Sequence, residues 1–136
     1  MIFNDNDIGI TKVEAFYILR KNSRDTYIEV SKNDDVRIMF TISDKDFDPR
    51  NLKKNVKTDL VKHIYWDVTL KTKETYYLFD LTKDKVFLTR LEDNLFKLEV
   101  NITNPDMIYS PLADDATFKN LIINTEFSFI YEDSIN

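Results

Sequence analysis

The chain contains no cysteine and a single glycine, Gly9, in 136 residues. Without cysteine there is neither a disulfide framework nor a thiolate metal site, and thiol nucleophiles are excluded. A loop that cradles phosphates needs several glycines at fixed spacing so that the backbone can approach the anion, so P-loop and dinucleotide fingerprints are absent. Histidine is equally scarce: His63 stands alone. A multi-histidine zinc or iron centre within one chain is therefore excluded, and any Ser-His-Asp arrangement would depend on that one residue. No run approaches the roughly 20 apolar residues of a membrane-spanning helix. The opening Met1-Ile2-Phe3-Asn4-Asp5 has neither the basic nor the apolar region of a signal peptide. The expectation is a cytoplasmic, soluble protein, away from membranes and without a cofactor.

Hydrophobic residues make up 43% of the chain, enough for a single domain over 1–136 to bury a core without staples. Apolar and polar residues alternate in several runs, as a sheet with one face on a core requires. The clearest is Val36–Ser43, where Val36, Ile38, Phe40 and Ile42 share one face. It pairs as a hairpin with Thr26–Ser31 across Lys32-Asn33-Asp34-Asp35. Lys12–Arg20 reads as a strand from its β-branched and aromatic content. Between Ile64 and Ile102 four strands follow one another: Ile64–Thr72, Thr75–Leu81, Lys85–Leu91 and Asn94–Ile102, a meander in which the middle two are apolar on both faces. Leu121–Tyr131 reads as a last strand. Residues 1–11 show no periodicity and read as a loose lead-in.

One helix is expected. Asp48-Pro49 joins a capping carboxylate to a proline at the first helical position, and Leu52, Val56 and Leu60 recur every four residues. The resulting fold class is mostly β: an antiparallel β-sandwich or barrel of about eight strands with one short amphipathic helix over about 49–62.

Four groupings could carry function. Asp44, Asp46 and Asp48 alternate as at the start of a calcium loop, but Pro49 and Asn55 stand where that loop needs glycine and glutamate, so a helix cap is the better reading and no metal site is assigned. His63, beside Tyr65, Trp66 and Asp67, falls on the helix stripe and reads as a satisfied histidine at a helix end, not a catalytic one. Arg50, Lys53, Lys54 and Lys57 cluster on the predicted helix. They belong to a stretch, 50–77, with seven basic residues against Asp59, Asp67 and Glu74. Finally, the segment Thr103–Lys119 has no periodicity, and connections this long are often functional. It offers Tyr109 and Leu112 as apolar anchors beside Asp114 and Asp115, with Met107, Ile108 and Phe118 as further apolar residues. It leads into an acidic C-terminal region, 106–136, with six acids against Lys119.

The net charge of −5 argues against a nucleic-acid binder, which ordinarily carries a basic footprint. The favoured reading is a non-catalytic protein-binding domain (an inhibitor, immunity, adaptor or phage-type component), not an enzyme. Alternatives are a small apolar ligand held inside a barrel, then a carboxylate-based hydrolase or a calcium-dependent binding domain. The sequence leaves the partner and the oligomeric state open.

Overall fold

The computed structural model describes residues 1–63, 68–73, 76–81, 83–103, 107–109 and 118–133. Among them the strands are β1 (Ile2–Phe3), β2 (Asn6–Asp7), β3 (Lys12–Leu19), β4 (Arg24–Lys32), β5 (Val36–Ser43), β6 (Lys57–Asp59), β7 (Val68–Thr72), β8 (Tyr76–Asp80), β9 (Val86–Glu92), β10 (Leu95–Thr103), β11 (Met107–Tyr109), β12 (Asn120–Phe127) and β13 (Ile130–Asp133). They form two sheets. The first runs β2-β1-β12-β10-β9-β6 and the second β11-β8-β7-β5-β4-β3-β13. Each sheet keeps its own two edges, so the architecture is of the sandwich kind and not a closed barrel. The pairing of β13 with β3 is parallel; the other described pairings are antiparallel.

Alternation decides which side chains face inward. In β5, Val36, Ile38, Phe40 and Ile42 are buried while Arg37 and Ser43 are exposed. In β10, Phe96, Leu98, Val100 and Ile102 are buried. These join Val68, Leu70, Tyr77 and Phe79 of the second sheet and Val86, Leu88, Leu121 and Ile123 of the first in one continuous apolar cluster. Each fully buried side chain of this size contributes about 1.5–3 kcal/mol relative to exposure. Phe118 belongs to the same core, packed on Phe79 with ring centroids 5.0 Å apart. That end of the long 103–119 segment is therefore docked.

The expected helix over 49–62 is not formed. Asp48 does cap, accepting from the Arg50 N–H at 2.9 Å, but the turn that follows is a single 3-10 turn, Pro49–Asn51. Leu52 is already extended, and Asn55 takes a left-handed conformation with φ 62°. The backbone of 55–60 is bonded to β9 instead: Asn55 N–H to the Arg90 carbonyl and Leu60 N–H to the Val86 carbonyl, both 2.8 Å, with β6 between them. The cause is local. Asn51, Asn55, Thr58 and Asp59 are weak helix formers whose side chains compete for the backbone, and β9 offers a free edge. The four-residue apolar spacing is only partly a stripe: Leu60 is buried, but Val56 is 46% exposed. A second 3-10 turn, Val61–His63, opens with Asp59 accepting from the Val61 N–H at 3.0 Å.

Three further differences shape the surface. The lead-in is a hairpin: Asn4 and Asp5 have φ 49° and 68°, which Asn and Asp tolerate in tight hairpin turns, and β1 pairs with β12. The stretch 64–102 is not one meander, because β7–β8 lie in the second sheet and β9–β10 in the first; residues 64–67 lie outside the described residues. Leu121–Tyr131 is not one strand either. The chain leaves the first sheet at Phe127 and enters the second at Ile130. Asn94 holds this crossing: its side chain donates to the Phe129 carbonyl (3.0 Å) and accepts from the Phe129 N–H (3.1 Å). It thereby stands in for a ladder partner.

Candidate functional site

The crossing delivers Tyr131 beside Tyr17 of β3, their ring centroids 5.9 Å apart. The Arg50 guanidinium lies 5.1 Å from the centroid of each ring. Its Nε and Nη2 donate to the two carboxylate oxygens of Asp48, at 3.0 and 2.9 Å. Asp48 is buried, 8% exposed, and Arg24 Nη1 lies 3.6 Å from its Oδ2. A second buried carboxylate, Asp25, is gripped by Arg20 and accepts from Ser43 Oγ at 2.9 Å. The Arg24 and Arg50 guanidiniums thus converge on Asp48 at one end of the second sheet, while the Arg20 guanidinium is held by Asp25 on the other face of β4, where Asp25 stands opposite exposed Ser43. Each is anchored by a buried acid and left more than a third exposed.

The electrostatics follow from that burial. For Asp48, desolvation disfavours the charged form, but the Arg50 hydrogen bonds outweigh it and hold the carboxyl below the usual carboxylate range. Arg50 is pushed upward, chiefly by its bond to Asp48. Burial raises both phenols, Tyr17 and Tyr131. Neither hydroxyl has a hydrogen-bond partner among the described residues, although the Arg24 and Arg50 guanidiniums are close enough to oppose the upward shift at Tyr17. Two buried phenols without partners cost stability, and a guanidinium lying over both rings offsets part of it.

The remaining predicted residues are dispersed. Lys54 pairs with Asp93 at 3.0 Å. Lys57 sits on β6, paired with Glu99 at 3.3 Å and lying over Phe87. Lys53 is exposed. With the helix absent, these three do not form one face with Arg50. Tyr109 ends β11, an edge strand of the second sheet that also holds Met107 and Ile108. Leu112, Asp114 and Asp115 lie outside the described residues, as do Tyr65, Trp66 and Asp67. His63 closes its 3-10 turn with Nδ1 2.7 Å from Asp44 Oδ2 and its ring on Phe47. Asp44 is lowered by that bond and by the Asp46 N–H. Asp44 and Asp48 are thus committed to protein partners, and among the described residues no group of three metal-ligating side chains lies together. In the sequence Tyr17 belongs to the strand Lys12–Arg20, and Arg24 to the turn cluster Asn22-Ser23-Arg24-Asp25. Two arginines at two loop ends, with a tyrosine in the strand before the first, were the available signal.

Both depressed carboxyls act in the same direction with pH. A folded-state pKa below the unfolded value gives stability that is fully present above the unfolded pKa and is lost as pH falls through the folded one. The melting temperature should therefore fall steeply below about pH 4. Asp44→Asn should flatten part of that acid limb, as thermal melts taken between about pH 5 and pH 2 would show. An unchanged limb would mean that the His63–Asp44 contact adds nothing.

Comparison with protein-family models, curated proteins and solved structures returns no match to this chain. Among the described residues no helix is long and apolar enough to cross a membrane.

Proposed function

We propose that the chain is a non-catalytic protein-binding domain, of the kind found in inhibitors, immunity proteins, adaptors or phage-type assemblies. Its arginine end receives an acidic segment of the partner. The observation that supports this reading is the convergence of Arg24 and Arg50 on Asp48, both more than a third exposed but fixed by that buried acid. A guanidinium already held in place loses little conformational freedom on binding, and its planar fork suits a carboxylate. Arginine and tyrosine are also the residues most enriched where interfaces concentrate their energy. Two cations against one buried acid leave positive charge there on a chain whose net charge is −5, so an acidic partner is steered to this end.

Selection from a random peptide display library should enrich sequences rich in Asp and Glu. Arg24→Gln removes one cation while leaving Asp48 its two-pronged bond to Arg50, so the fold persists. It should weaken the best acidic peptides by about three- to tenfold and reduce the salt dependence of binding. Enrichment of apolar or basic peptides instead, or affinities indifferent to Arg24→Gln, would overturn the proposal.

A further inference from the structure

A separate depression of about 300 Å3 lies on the outer face of the first sheet, lined by β6, β9, β10 and β12. Its volume is at the lower end of the range for small-ligand clefts. Register builds its floor: Glu99 of β10 stands between Phe87 of β9 and Asn124 of β12, and Asn101 stands opposite Ile122 in the next row. Asparagine is depleted from strands because it packs poorly on a pleated surface and competes for backbone bonds. Asn120 on the same face is fully used, bonding Asp5 through both side-chain atoms at 2.9 and 2.8 Å. Asn101 and Asn124 have no such role, and neither forms a side-chain hydrogen bond among the described residues. Glu99 accepts from Lys57 on one oxygen at 3.3 Å. Its other oxygen is buried without a hydrogen bond, 3.6 Å from Lys97 Nζ.

We propose that this groove binds a neutral saccharide. Two idle carboxamides and a half-used carboxylate supply donors and acceptors side by side, the pattern that neighbouring hydroxyl groups need. Ile122 supplies an apolar surface for the C–H face of a sugar ring, flanked by Phe87, over whose ring Lys57 Nζ lies 5.4 Å from the centroid. The charges lining the groove cancel, Lys57 and Lys85 against Asp84 and Glu99. Nothing there favours an anion or a cation, in contrast with the arginine end. The site is independent of that end and shares no residue with it.

The test is a 1H–15N NMR titration of the full chain with neutral hexasaccharides of glucose, xylose, mannose and N-acetylglucosamine, with a polyglutamate peptide in parallel. At least one hexasaccharide should give saturable shifts of the Asn101 and Asn124 side-chain amides. Asn124 is exposed on its strand, so Asn124→Ala should leave the melting temperature unchanged while weakening that binding about tenfold. Phe87→Ala should weaken it similarly, whereas Arg24→Gln should not affect it. No saturable shift with any of the four sugars at millimolar concentration would overturn the proposal. So would shifts that survive Asn124→Ala, or shifts induced by polyglutamate alone.

Discussion

Arg50→Ala should lower the melting temperature by roughly 6–12 °C, the equivalent of about 2–3 kcal/mol in a chain of this size. The cost arises at Asp48. Breaking a buried ion pair by removing one partner commonly costs about 3–5 kcal/mol, because the remaining charge is left uncompensated. Here the loss is smaller, since Asp48 keeps the backbone N–H of residue 50 at 2.9 Å and Arg24 at 3.6 Å. Arg50 is itself 43% exposed, and solvent screens part of the pair. The variant also uncovers the Tyr17 and Tyr131 rings. Arg50→Lys keeps the charge but not the two-pronged bond or the planar stacking, so it should recover no more than about half the loss. In the double variant Asp48→Ala/Arg50→Ala the losses should be clearly less than additive. A single variant melting within ~2 °C of the parent would show the pair to be an ordinary surface contact, and would remove the rigid anchor on which the proposed docking end depends.

What sequence revealed and what it concealed divide along physical lines. Alternation is a local property, so a strand such as β5 was legible down to which residues face inward. The hairpin turn at Asn33 was legible too, because a left-handed residue (φ 50°) was needed there and Asn supplies it at low cost. Sheet membership is not local. Nothing in Val68–Glu92 announces that β7–β8 and β9–β10 belong to opposite layers. Nor does anything in Leu121–Tyr131 announce a change of sheet at Ser128-Phe129. The misread helix shows the same limit from the other side. Asp48-Pro49 is a true cap, but a cap starts a 3-10 turn as readily as a helix. What followed was decided by the free edge of β9, about thirty residues further on. The arginine end was hidden because its parts come from Tyr17, Arg24, Asp48–Arg50 and Tyr131, far apart in sequence, with Tyr131 set beside Tyr17 by the parallel pairing of β13 with β3.

Phe129→Ala should have the largest effect of any variant considered, about 3–5 kcal/mol and a fall in melting temperature of roughly 10–20 °C. Phe129 is 3% exposed and meets Phe96, Phe127 and Tyr131 with centroids 4.9, 5.1 and 6.1 Å away. It is thus the apolar joint between the first sheet and the strand that supplies Tyr131. Truncation leaves a cavity that its neighbours cannot close, because Asn94 holds the backbone on both sides of the residue. Phe129→Leu keeps much of the volume and should recover a large part of the stability, though not the edge-to-face contacts. The loss should also be uneven. β13 is an edge strand, tied to β3 alone in its sheet, so hydrogen exchange at Ile130–Asp133 should accelerate in Phe129→Ala before it does in β4 or β5. Because Tyr131 forms one wall around Arg50, loosening β13 should also weaken the acidic peptides bound at the arginine end, while sugar binding at Asn101 and Asn124 persists. Exchange that rises uniformly across both sheets would instead place Phe129 in the general core, with no special hold on the site.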